Sequence, residues 1–426
     1  MRATISAMRI AAIAALVLVL AGCGSGGAQT GAELSGDAAE LVPPDALTFV
    51  NVDTGFDSKQ WRAVGDLVGP GLDLQRVKGA VGDGLSLAVL GVEDGKPDAV
   101  AFAKPRDEAK LRQFASTFDT GDEHYTVEQV GDWSVVADSA DTFAAVRHAD
   151  SGRSLADDAD FKAASATFKG DSLVTAFVAG AAAKQLPGQL GAFVRAEGSA
   201  EWFAARLVGE QNALRLEVQA RSLKPAPAVY RPTLLRDVPS GAIAAVSFKN
   251  LDRVLGRLPA LKPYLGVRVA DLLPALRGEG TFYVLPGVLI PVFALDVQSP
   301  NPQAAAQALR KLTAKVKAQV GNVLALRVAR YGSRVVLTNG PAAGGSSGGA
   351  LVDDQPFKDA LAAAGAPAQV SFLAYADVQR LKPILETLTQ LLGKGTSSPK
   401  SSPLDRIATV VAFGTGSRLV IRATLR

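Results

Sequence analysis

The chain has 426 residues, 48% of them hydrophobic and 20% charged, a balance that excludes a largely disordered protein and allows two domains with cores of their own. The formal net charge is +4, but residues 1–22 carry Arg2 and Arg9 and no acid, so the remainder holds 43 basic against 41 acidic side chains. Its charges form no contiguous basic block, which argues against a nucleic-acid partner.

Residues 1–9 form a short basic leader, and residues 10–20 are an unbroken apolar run of Ile, Ala, Leu and Val. This is the pattern of a secretory signal. A membrane-spanning helix needs about 20 apolar residues, and this run meets Gly22 and a Gly/Ser stretch too soon. Leu20, Ala21, Gly22 and Cys23 close the run and resemble the bacterial lipobox. That resemblance implies acylation of the Cys23 thiol, cleavage before Cys23 and attachment to the membrane on the extracytoplasmic face. Two or three acyl chains make release slow, whereas one holds a protein only marginally. Cys23 is the chain's sole cysteine, so stability after cleavage comes from packing and not from an intrachain disulfide. Residues 23–37 read as a flexible leash from the lipidated cysteine, with a reach of about 20 Å.

An internal repeat organises the rest. Val42-Pro43-Pro44-Asp45-Ala46-Leu47 is answered by Val238-Pro239-Ser240-Gly241-Ala242-Ile243 at an offset of 196 residues. The same offset relates Asp83-Gly84 to Glu279-Gly280, Leu155-Ala156-Asp157-Asp158 to Leu351-Val352-Asp353-Asp354, Phe161-Lys162 to Phe357-Lys358, and Pro187 to Pro383. The expectation is a tandem duplication of units at 38–222 and 233–426, joined by a Pro-rich linker at 223–232.

Each unit opens on a buried strand (47–52 and 243–248) rich in β-branched and aromatic residues. A hairpin follows, 85–90 with 99–103 across a turn at 93–97, and 282–285 with 290–295 around Pro286-Gly287. Asp107 and Glu108 begin a helix bearing Leu111, Phe114 and Phe118. Asn301 and Pro302 begin its counterpart, with Leu309, Leu312, Val316 and Val320 on one face. Arg310, Lys311, Lys315 and Lys317 lie largely off that face, which suits a solvated surface or, alternatively, contact with anionic lipid or wall polymer. A second strand pair (125–130 with 134–137; 325–329 with 334–338), a further strand (172–178; 369–375), a helix and a closing hairpin (202–208 with 213–221; 407–413 with 418–424) complete each unit. Short connections make the sheet mostly antiparallel with helices packed on it, so the expected class is α+β.

Candidate chemistry is sparse. The pairs Asp157-Asp158 and Asp353-Asp354 offer carboxylates for a hard cation or for acid and base work, but their position before a helical pattern suits helix capping. Phe161 and Phe357 then become the first core residues of those helices. Gly345-Ser346-Ser347-Gly348-Gly349 spells a nucleophile elbow inside a low-complexity run, with both histidines, His124 and His148, far upstream, so it reads as a loop. Gly393-Lys394-Gly395-Thr396 lacks the order of a phosphate loop. Two histidines and a lipidated cysteine supply no transition-metal ligand set, and neither a nucleotide nor a metal cofactor is indicated. Trp61, Trp133 and Trp202 all fall in the first unit and read as core, with a ligand platform as the alternative.

The lipobox, residues 41–53 from Leu41 to Asp53, Trp61 and the Leu-x-Asp-Asp-x-x-Phe-Lys element together make the chain resemble the bacterial envelope family known as domain of unknown function 3352. The resemblance implies an extracytoplasmic, often lipid-anchored protein of no established activity, and it carries over no functional residue. The function expected is a non-catalytic binding or scaffolding module. The alternatives are a carrier for lipid or another apolar ligand, with Leu381, Leu385 and Leu388 lining a cavity, and the solute-binding lipoprotein of an importer. Replacing Cys23 by Ser should abolish acyl incorporation and move the protein from the membrane to the soluble fraction, read by fatty-acid labelling and fractionation of the host.

Overall fold

The computed structural model describes residues 34, 36–58, 60–61, 64, 74–93, 96–120, 123–182, 200–222, 226–255, 269–287, 290–321, 324–340, 349–391 and 403–426. The lipobox, the leash up to residue 33, residues 223–225 of the linker, the run at 341–348 and Gly393-Lys394-Gly395-Thr396 lie outside them. The chain divides into two compact units, Met1–Pro225 with Ala423–Leu425 and Ala226–Arg422 with Arg426.

In the first unit the strands are β1 (Thr48–Val52), β2 (Leu85–Glu93), β3 (Lys96–Ala103), β4 (Thr126–Val130), β5 (Trp133–Ala137), β6 (Val174–Ala179), β7 (Ala200–Glu210) and β8 (Ala213–Ser222). The helices are α1 (Leu74–Val81), α2 (Glu108–Ala115), α3 (Ala140–Ser151) and α4 (Ala159–Ser165). The strand order is β8-β7-β6-β1-β2-β3-β5-β4, antiparallel throughout.

The second unit has β9 (Ala244–Lys249), β10 (Glu279–Leu285), β11 (Val292–Gln298), β12 (Arg327–Tyr331), β13 (Arg334–Thr338), β14 (Phe372–Asp377), β15 (Ile407–Thr415) and β16 (Arg418–Leu425). Its longer helices are α5 (Pro302–Val320), α6 (Gln355–Ala364) and α7 (Val378–Leu391). The order β16-β15-β14-β9-β10-β11-β13-β12 matches the first unit strand for strand.

The match extends to single hydrogen bonds. Leu155 N–H donates to Val42 O at 2.7 Å, and Leu351 N–H to Val238 O at 2.8 Å, with both partners displaced by 196 residues. Lys162 N–H to Asp158 O and Lys358 N–H to Asp354 O, both at 3.0 Å, repeat at the same offset. Gly82 (φ +69°) and Gly278 (φ +93°) are also 196 apart. A Cβ on either would sit about 2 Å from a carbonyl oxygen, of Lys104 or of Gln298, so a side chain is excluded by both torsion and contact.

Helix starts follow the local chemistry. The Asp107 carboxylate accepts from Ala109 and Lys110 N–H to begin α2, and Asn301 accepts from Ala304 N–H ahead of Pro302 to begin α5. Two helices, α1 and α3, were not expected from periodicity; α3 is capped by Ser139, which accepts from Thr142 N–H at 3.1 Å. Pro97, expected in the turn, lies inside β3 opposite Val92. It is tolerated because β5 pairs only with Ala101, Phe102 and Ala103, leaving that end of β3 an edge that needs no amide donor.

One face of each array is sealed by a short helix and an aromatic cluster. Phe161 on α4 packs edge-to-face on Phe49 of β1 (5.7 Å) and Phe177 of β6 (5.3 Å), and Phe357 on α6 packs so on Tyr375 of β14 (5.1 Å). One buried carboxylate in the second core is paired with a half-buried guanidinium. Arg334 donates to the buried Asp296 carboxylate and lies 3.0 Å from Asp237, joining β13, β11 and the turn ahead of β9. Burial pushes the neighbouring Tyr283 phenol up to about 12, and Asp296 adds to the shift. Substituting Phe161 by Ala should cost about 3–5 kcal/mol, measured by urea unfolding, because two ring contacts and a filled volume are lost together.

Candidate functional site

The acidic pairs end up as structural elements. Asp157 accepts from Ser154 N–H at 3.3 Å, and Asp158, in the N-cap position of α4, accepts from Phe161 N–H at 2.9 Å. Asp354 occupies the N-cap position of α6, but its carboxylate accepts from the Ser240 hydroxyl and from Gly241 N–H at 2.7 Å instead of from its own helix. It therefore ties the helix start to the turn that precedes β9. Asp353 is exposed. Asp160, in the first turn of α4, has its carboxyl pKa raised by burial and, next, by Asp158. A surface cleft of about 240 Å³ lies beside this element, lined by Glu40, Phe161, Lys162 and Ser165 among others.

The other candidates are dispersed. His124 is exposed with Nδ1 3.5 Å from Asp119, and His148 is exposed in the last turn of α3. Among the described residues no group of three His, Cys, Asp or Glu side chains is placed to hold a metal ion. All three tryptophans are buried: Trp61 against Phe56 at 4.9 Å, Trp133 beneath the Lys104 ammonium at 4.4 Å, and Trp202 within the main core.

What sequence reasoning missed is an accessible apolar pair in the second unit. Val246 of β9 pairs directly with Phe282 of β10, and Phe282 with Leu295 of β11, so the three share one face. On that face α5 covers Leu295, Leu337 and Val335 through Ala305 and Leu309. Helix α7 packs against β15 and β14, and none of its described residues joins the buried cluster under α6. Among the described residues Val246 and Phe282 stand out as an accessible apolar pair, each 37% exposed, and Phe282 stacks on Phe293 at 6.4 Å and 18°.

In the first unit the equivalent pair, Val50 of β1 and Leu87 of β2, is 4% and 9% exposed. The expected buried opening strand is found in β1, where Phe49, Val50 and Val52 are buried, whereas β9 is exposed at Val246. Alternation alone cannot show this, because it reports which residues share a face and not what covers it. Leu381 on α7 is half-buried, and the side chains of Leu385 and Leu388 lie outside the described residues.

No protein-family model and no curated relative matches the chain. Among solved structures, crystal form I of TP0453 aligns at 11% identity over 72% of this chain and 92% of that chain. Its TM-score is 0.21, a likeness too slight to support any statement on fold or function.

If Asp158 is a cap, Asp158→Ala should lower stability by about 1 kcal/mol while Asp158→Asn retains most of it, since Asn caps as well as Asp. A carboxylate needed as a ligand or base would fail equally in both variants. Urea unfolding of the two variants separates the cases.

Proposed function

We propose that this chain is an extracytoplasmic lipoprotein, tethered through Cys23, whose two α+β units arose by tandem duplication and bind a ligand instead of catalysing a reaction. The duplication is supported by the shared strand order and by the hydrogen bonds that recur at one offset. The anchor is supported by the sequence of residues 1–23; among the described residues no helix is long and apolar enough to cross a membrane. The resemblance to the domain of unknown function 3352 family rests on the short motifs that carry it.

The observation that carries the binding role is the contrast between the closed floor at Val50 and Leu87 and the open one at Val246 and Phe282. Central strands of a sheet are normally its best-covered part, and an accessible apolar pair on two of them suits contact with an apolar molecule. This favours the carrier reading over a purely scaffolding one. The importer-type reading is disfavoured, since that class is built from parallel βαβ units and the strand pairings here are antiparallel.

Native mass spectrometry of the lipoprotein, extracted gently from its host membrane, should reveal non-covalent mass beyond the chain and its acyl groups. That mass should be lost from Phe282→Asp with the fold retained by circular dichroism. A parent protein that carries only its covalent acyl groups overturns the carrier reading.

A further inference from the structure

Charge is segregated in this molecule although its total is nearly balanced. Residues 297–352 contain no Asp or Glu and seven basic side chains, Arg310, Lys311, Lys315, Lys317, Arg327, Arg330 and Arg334. The fold gathers them at one margin of the second unit. Among the described strands β12 pairs only with β13, and α5 lies on the face that Arg330 shares, with Arg330 donating to Gln303 of α5 at 2.7 Å. Arg327 and Tyr331 project from the other face of the same edge, so the margin is presented edge-on. Gln303, Arg310 and Lys317 recur every seven residues, two helical turns, so the row that meets β12 at Gln303 continues as two cations. Lys315 is engaged by Asp271, and Arg334 by Asp296 and Asp237. Arg310, Lys311, Lys317 and Arg327 are exposed, and among the described residues none has an ion-pair partner. At the tip of the β12–β13 hairpin Tyr331 is 51% exposed, the most exposed large apolar side chain described.

We propose that this basic margin docks on the surface of an anionic phospholipid bilayer. Arginine on an edge strand also deters edge-to-edge pairing, which accounts for Arg327 and Arg330. It does not account for the cations on α5 or for an aromatic ring held out in solvent. A soluble polyanion needs only the cations; a bilayer interface favours the combination of cations with an amphipathic aromatic residue. The inference is independent of acylation at Cys23.

The test uses the chain from residue 23 onward carrying Cys23→Ser, since every described element lies beyond residue 33. Its partition onto phosphatidylcholine vesicles is compared with and without phosphatidylglycerol, at low and high salt. Binding should require phosphatidylglycerol and weaken with salt. It should fall by more than about a hundredfold when Arg310, Lys311, Lys317 and Arg327 are all replaced by Gln, given about fivefold for each cation at an anionic surface. Tyr331→Ser should weaken vesicle binding and leave binding to soluble polyphosphate unchanged. An unaltered thermal midpoint shows that the variants fold. Equal binding with and without phosphatidylglycerol, a fourfold variant that binds like its parent, or vesicle binding indifferent to Tyr331→Ser overturns the proposal; the last assigns the margin to a polyanion.

Discussion

The backbone hydrogen bond from Leu155 to Val42, with its equivalent from Leu351 to Val238, is the constraint on which each unit depends. A sheet must bury at least one apolar face, and in both units part of that cover is a short helix that lies more than 100 residues after the segment it is fastened to. Closing so long a loop has an entropic cost that grows only slowly with length. Burial of Phe161 between Phe49 and Phe177, or of Phe357 against Tyr375, offsets it with an apolar gain of about 2 kcal/mol per ring. The clamp sets where the helix begins, and the ring one turn later sets how it lies on the sheet.

The same clamp shows how equivalent residues diverge. Asp158 caps its own helix, while Asp354 reaches the preceding turn at Ser240 and Gly241. The first unit has Pro44-Asp45 where the second has Ser240-Gly241, so the hydroxyl and the unencumbered turn are present in only one of them. A carboxylate at a fixed place in the fold thus takes the donors its neighbours offer. Buried charge diverges similarly: Asp296 is satisfied by Arg334 in the second unit, whereas in the first the buried Glu217 lies on β8, 2.9 Å from Arg206 and 3.6 Å from Arg215. In each case a carboxylate removed from water is held by guanidinium groups, the arrangement that tolerates burial best.

Strands and hairpins were legible because period-two alternation and turn residues act locally; the closing hairpins extend only a few residues beyond their expected ends. The caps at Asn301 and Asp158 were legible for the same reason, while Asp107, expected in the first turn beside Glu108, stands at the N-cap. Helix α3 carried a readable signal, Ser139 followed by Phe143, Val146 and Ala149 at helical spacing, all three buried. Helix α1, with Gly79 inside it, carried a weaker one. The exposure of Val246 and Phe282 was not legible, because alternation tells which residues share a face and not what covers that face.

The electrostatic reading changes in the same way once the fold is known. A near-zero net charge and the lack of any contiguous basic run both describe the chain as a string, on which seven cations spread over 56 residues look dilute. Folding places an amphipathic helix and an edge strand side by side, and positions seven residues apart on the helix become neighbours along that edge. Field at a surface depends on that spacing relative to a screening length of about 8 Å, so cations separated along the sequence act together after folding. The missing quantity was never the number of charges but the absence of acids between them, and an absence acquires meaning only when the residues that frame it are known to be adjacent.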